Sequence, residues 1–86
     1  PTASRYLEIA KLYYRNGMWK KAVVALERSI KLNPRNGLAH LLLGYCAWQL
    51  DNKKLAVREL NAASKHKRYR QQAQMALNII KETEDQ

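Results

Sequence analysis

Phenylalanine is missing from this chain, cysteine occurs once, proline twice and glycine three times among 86 residues. Each scarcity excludes something. Without Phe and without β-branched runs, a packed sheet has little to be built from. So few Pro and Gly favour long regular elements over many turns. A single thiol, Cys46, cannot close an internal disulfide, so nothing requires an oxidising compartment, and a reducing one such as the cytoplasm is compatible. A signal-peptide pattern is lacking. The longest apolar run, Leu38 to Trp48, is interrupted by His40 and falls short of the ~20 residues of a membrane span. The chain begins at Pro1 rather than Met, which reads as a piece of a longer protein whose remainder has room for an anchor or another domain.

Acidic residues are also few. Sixteen Lys and Arg face seven Asp and Glu, for a net charge of +9. Three of those acids sit in the terminal "KETEDQ", so residues 1–80 carry fifteen basic and four acidic groups, a balance of +11. Such a chain is drawn weakly to anionic partners, whether nucleic acid, acidic protein or lipid surface. The plainer reading is a helical surface kept in solution by Lys and Arg. Hydrophobic residues make up 47%, enough for one small core.

Asn16-Gly17, "NPRNG" at 33–37, Asp51-Asn52 and "SKHKR" at 64–68 mark four turns. The segments between them have helical periodicity. Tyr6, Ile9, Ala10 and Tyr13 share one face, and Trp19, Ala22, Val23, Leu26 and Ile30 share another. A third segment runs from Leu38 to Leu50; a fourth carries Leu55, Ala56, Leu60 and Ala63, and a fifth Ala73, Ala76, Leu77 and Ile80. Pro34 stops the second helix and Asn36 is placed to cap the third. The spacing predicts an all-α chain of five antiparallel helices near 4–15, 18–32, 37–50, 53–65 and 69–82.

The helices repeat. "KKAVVALERS" at 20–29 and "KLAVRELNAA" at 54–63 match at Lys20/Lys54, Ala22/Ala56, Val23/Val57 and Leu26/Leu60, always 34 residues apart. The same step carries Ile9 to Leu43 to Leu77, and Ala10 to Gly44. Paired helices at a 34-residue period resemble the tetratricopeptide repeat (TPR) family. Ile9-Ala10 stand at the family's Leu-Gly position, followed by Tyr13, Gly17, Ala22, Leu26, Ser29 and a closing Leu32-Asn33-Pro34. The second repeat has Leu43-Gly44, Ala56, Leu60 and Ala63. Ala47, Asp51 and Arg68 depart from the family's Tyr, Gly and Pro. The resemblance implies a helical-hairpin solenoid: repeat one at about 3–36, repeat two at about 37–70, a capping helix at about 69–82 and an acidic tail at 82–86. In the cap, Leu77 turns inward while Asn78 and Lys81 meet water.

The resemblance also implies a protein-interaction scaffold or adaptor, with the first helix of each pair lining a concave groove. The positions facing it are Leu7, Lys11, Tyr14, Leu38, Leu41, Leu42, Tyr45 and Trp48, with Gln72, Met75 and Ile79 from the last helix. Much of the third helix is core, which accounts for Leu43, Cys46, Ala47 and Leu50. An apolar strip with Tyr and Trp anchors suits an extended or helical peptide. The clamp with which other TPR domains hold the carboxylates of heat-shock chaperones is missing, because its positions here hold Leu7, Lys11, Leu42, Gln72 and Ala76.

Lys20, Lys21, Arg28, Lys31, Lys53, Lys54, Arg58 and Lys65 belong to the second helix of each pair, on the convex side. No aromatic residues interleave with them as in single-strand binders, which favours a solvated outer face over a phosphate-contacting one. Catalysis and cofactors find no support. His40 and His66 are 26 residues apart, Cys46 lies in an apolar helix, and a phosphate-binding Gly loop is lacking. Three readings stay open: a peptide or helix held in the groove, electrostatic docking on nucleic acid or anionic membrane, and self-association of the solenoid. The partner, pathway and compartment have no signature in these residues.

Overall fold

The computed structural model describes residues 1–84 and, among them, contains five helices and no strand. They are α1 (Ala3–Arg15), α2 (Trp19–Leu32), α3 (Gly37–Gln49), α4 (Lys53–Ser64) and α5 (Arg70–Glu84). Each begins and ends within two residues of where periodicity and turn signals place it. Asp85 and Gln86, the end of the expected acidic tail, lie outside the described residues.

The 34-residue period is written into the helix ends as well as the faces. Thr2 and Asn36, one period apart, both N-cap: the Thr2 hydroxyl accepts from the Arg5 amide at 3.1 Å, and the Asn36 side chain accepts from Ala39 at 3.2 Å. Each satisfies an amide that the helix itself leaves free. Asn52 does the same for α4 through the Leu55 amide, whereas its counterpart Met18 makes no side-chain cap. The turns inside the hairpins match too. Gly17 has φ +68° and Asp51 has φ +60°, so both repeats bend through a left-handed residue. Asp tolerates that conformation less well than the Gly found one repeat earlier.

Packing follows from small residues at the crossings. Ala10 and Ala22, both fully buried, let α1 and α2 approach, with Leu26 filling the space beside them. In the second repeat Gly44 takes the place of Ala10. A Cβ there would stand 2.7 Å from Cγ of the fully buried Leu60 and 3.4 Å from the Ala56 carbonyl oxygen. Helix α3 packs on α2 through one side and α4 through the other, and α5 closes on α4. Two clusters result. Leu43 and Cys46 join Ala22, Ala25 and Leu26, while Leu41 and Ala47 join Ala56, Leu60, Ala73 and Ile80.

The expectation for α1 needs correction. Ile9 is not packed like its repeat partners: it is 38% exposed, against 2% for Leu43. Leu43 is covered by α2, and none of the described helices covers the corresponding face of α1. Leu7 and Ala10 face the core instead.

Buried polar groups are tied across elements. Ser29 donates to the Ala3 carbonyl at 2.8 Å, fixing α2 to the start of α1. His40 spans the Glu59 carboxylate and the Pro34 carbonyl, each at 2.7 Å, so the second inter-helix loop is bound to α4.

Two outcomes follow for stability. Ala56→Leu will overpack the α3–α4 crossing and lower stability by about 1–3 kcal/mol, read as a drop in the urea midpoint. Asp51→Gly will raise it by roughly 0.5–1 kcal/mol, because the turn keeps its shape without a strained Cβ.

Candidate functional site

Helices α1, α3 and α5 are the first members of successive pairs, and the 34-residue register aligns their side chains in rows. Glu8, Leu42 and Ala76 form one row; Lys11, Tyr45 and Ile79 form a second; Tyr14 and Trp48 belong to a third. Between α1 and α3 these rows border a hollow of about 410 Å³, lined by Glu8, Lys11, Tyr14, Arg15, Leu38 and Leu42. Between α3 and α5 they border a smaller one of about 190 Å³, lined by Tyr45, Trp48, Leu60, Ala76, Ile79 and Ile80. The first has a charged rim over apolar residues from α3. The second is apolar almost throughout.

The aromatic side chains are held from behind. The rings of Tyr14 and Trp19 meet edge to face with centroids 5.4 Å apart, so α2 fixes the ring that α1 presents. Burial pushes the Tyr14 hydroxyl up from its ordinary range, and the nearby Cys46 and Tyr45 add to the effect. Burial alone raises Tyr45. Both phenols therefore stay neutral at physiological pH and keep a proton to donate. Lys11 is engaged with Glu8 on its own helix at 3.3 Å.

Three residues expected on the open face are placed otherwise. Leu41 is only 4% exposed, in the cluster that includes Ala63 of α4 and Ala73 and Ile80 of α5. Leu7 is buried against α2 in the first cluster. Leu7, Leu41 and Met75 share one register row, and this row faces the inter-helix contacts. Met75 is 58% exposed, with none of the described helices covering that row on α5, and it lines neither hollow. Gln72 is exposed. Lys11, Tyr14, Leu38, Leu42, Tyr45, Trp48 and Ile79 do come together along the two hollows. Ala76, at a position of the missing clamp, lines the second, and Glu8 and Arg15 line the first without having been expected, although Glu8 is a row mate of Leu42.

The basic residues divide. Lys31, Lys54 and Lys65 are exposed. Lys53 is half-buried and pairs with Glu84 of α5 at 3.5 Å, and Arg58 donates to Glu59 at 3.1 Å. Lys20, Lys21 and Arg28 border a separate hollow between α1 and α2. Cys46 is fully buried, and burial pushes its thiol up to about 11, which leaves almost no thiolate at neutral pH. Among the described residues no group of His, Cys, Asp and Glu is placed to hold a metal ion, and no helix is long and apolar enough to cross a membrane.

Helical hairpins repeating every 34 residues, with their first helices side by side, define a helical-repeat solenoid of the protein-interaction class. The tetratricopeptide repeat model matches residues 13–80, and the chain belongs to that family. A comparison with curated proteins finds no match.

Leu42 and Leu43 separate the two roles of α3. Leu42 is half-buried at a row where repeat one carries the exposed Glu8, whereas Leu43 is buried beneath α2. Leu42→Glu will leave thermal unfolding within about 1 kcal/mol of the parent, because the carboxylate reaches water. Leu43→Glu will lower stability by at least roughly 3 kcal/mol, since an unpaired charge would be sealed in the core.

Proposed function

We propose that the concave surface of α1, α3 and α5 binds a peptide or helix of a partner protein, and that the domain serves as an adaptor in a larger assembly. The row of half-buried Leu38, Leu42, Tyr45 and Trp48 along α3 supports this reading most directly. These side chains are packed on one side and open on the other, so a partner gains apolar contact without any ordering of the receptor. Neutral Tyr14 and Tyr45 supply donors that give direction to a bound backbone. The small hollow beside Trp48 has room for one apolar anchor residue, and the larger one beside Tyr14 has Lys11 and Arg15 at its rim for a partner carboxylate.

The test is selection of binding peptides from a displayed library, followed by titration against variants. Leu42→Glu and Trp48→Ala are each expected to weaken a selected peptide by more than ~1 kcal/mol while the domain stays folded. The affinity should change little between low and moderate salt. Binding that survives both substitutions would place the partner elsewhere. Binding of nucleic acid or anionic vesicles that persists at moderate salt would instead favour electrostatic docking through Lys31, Lys54 and their neighbours.

A further inference from the structure

The hollow between α1 and α2, about 480 Å³, lies on the opposite side of α1 from the concave groove's contact with α3. Its floor is Tyr6, Ile9, Tyr13 and Val24, and Lys20, Lys21 and Arg28 stand around it. The repeat register says what such a place is for. One period later, Ile9 and Tyr13 become Leu43 and Ala47, which are 2% and 0% exposed. Leu12, 54% exposed, becomes the fully buried Cys46. Leu43 and Cys46 are covered by the apolar face of α2, and they share a cluster with its Ala22, Ala25 and Leu26. The exposed face of α1 is thus the same packing surface as the α2-facing side of α3, and none of the described helices covers it.

The rim differs from the second repeat in charge. Lys21 stands where Leu55 packs, and Arg28 where Ala62 stands. The Lys21 ammonium lies 5.9 Å from the centre of the Tyr13 ring, and the Arg28 guanidinium 5.8 Å from that of Tyr6. The cations are therefore drawn over the aromatic floor and concentrated at its border. A helix that matched only the apolar floor would leave three positive groups beside it without compensation.

We infer that this face is a second docking surface, distinct from the concave groove, and that its occupant is an amphipathic helix whose apolar stripe is flanked by carboxylates. The helix takes on α1 the position that α2 takes on α3. Its apolar residues cover Ile9, Leu12 and Val24, and its carboxylates meet Lys20, Lys21 and Arg28. The assignment builds on the interaction-module reading but uses other residues, so the two are separable.

The probe is an 18-residue synthetic peptide held helical by a staple, with Leu along one face and Glu on both flanks. A second peptide has every Glu replaced by Lys. Fluorescence anisotropy at moderate salt is expected to show the Glu-flanked helix binding at least tenfold more tightly. Ile9→Asp and, independently, Val24→Asp should each weaken it at least tenfold. Both sites are open to water, and circular dichroism will verify that the variants are folded. Leu42→Glu in the concave groove should leave this binding unchanged. Equal binding of the two peptides, indifference to both Asp variants, or loss with Leu42→Glu would each overturn the assignment. Sedimentation velocity supplies the remaining outcome. A concentration-dependent dimer abolished by Ile9→Asp would mean that a second copy of the chain occupies the face, and the acidic-helix assignment would fall.

Discussion

The close crossing of α3 and α4 at Gly44 is the contact on which the rest of the molecule depends. With hydrogen in place of a side chain there, Leu60 lies directly against the α3 backbone and Ala56 beside it. That approach lets one thin helix be covered on opposite sides, by α2 and by α4, within a chain of only 86 residues. A domain this small has little core to spare, and a helix buried nearly all round supplies an unusually large part of it. The apolar character of α3 is a consequence of its central position. What α3 leaves exposed is the narrow strip that neither α2 nor α4 reaches.

The fold was legible because the 34-residue step repeats across several physical levels at once. Ala22 and Ala56 mark the crossings, Leu26 and Leu60 the filling, and Gly17 and Asp51 the turns, so an error at one position is corrected by the others. The surface was legible only in part. Periodicity says that Leu41 and Leu42 are neighbours on α3, but which of them stays open depends on where α5 comes to rest. Leu41 shares a buried cluster with Ala73 and Ile80, residues more than thirty positions away. Register rows carry that information better than helical faces do. Glu8, in the row of Leu42, already signals an open position, and no charge occurs in the row of Leu41.

The first and last helices each depart from expectation at one position, for a single reason. Ile9 and Met75 both occupy rows that are buried in the middle repeat, and both are exposed because none of the described helices covers them. In a quasi-one-dimensional fold, exposure is a property of position along the array as much as of residue type. Polar ties such as Ser29 to Ala3, or His40 between Glu59 and Pro34, were equally invisible, because they join residues that no local pattern relates.

The two ends are nevertheless unlike. At the row of Ala10 and Gly44, where a helix pair must cross closely, α5 carries the exposed Asn78. A longer polar side chain stands there where a close crossing needs a hydrogen or a methyl group. Lys81 extends the polar surface where the buried Ala47 stands one repeat earlier. At the other end Ile9, Leu12 and Val24 keep the apolar character of an interior contact, and nothing larger than Ala10 obstructs the crossing within repeat one. Apolar exposure on so small a domain has a cost in solubility, which the surrounding Lys and Arg offset. The same cations that keep the open end in solution also restrict what can close it, since a basic or neutral helix would bring no compensation for them.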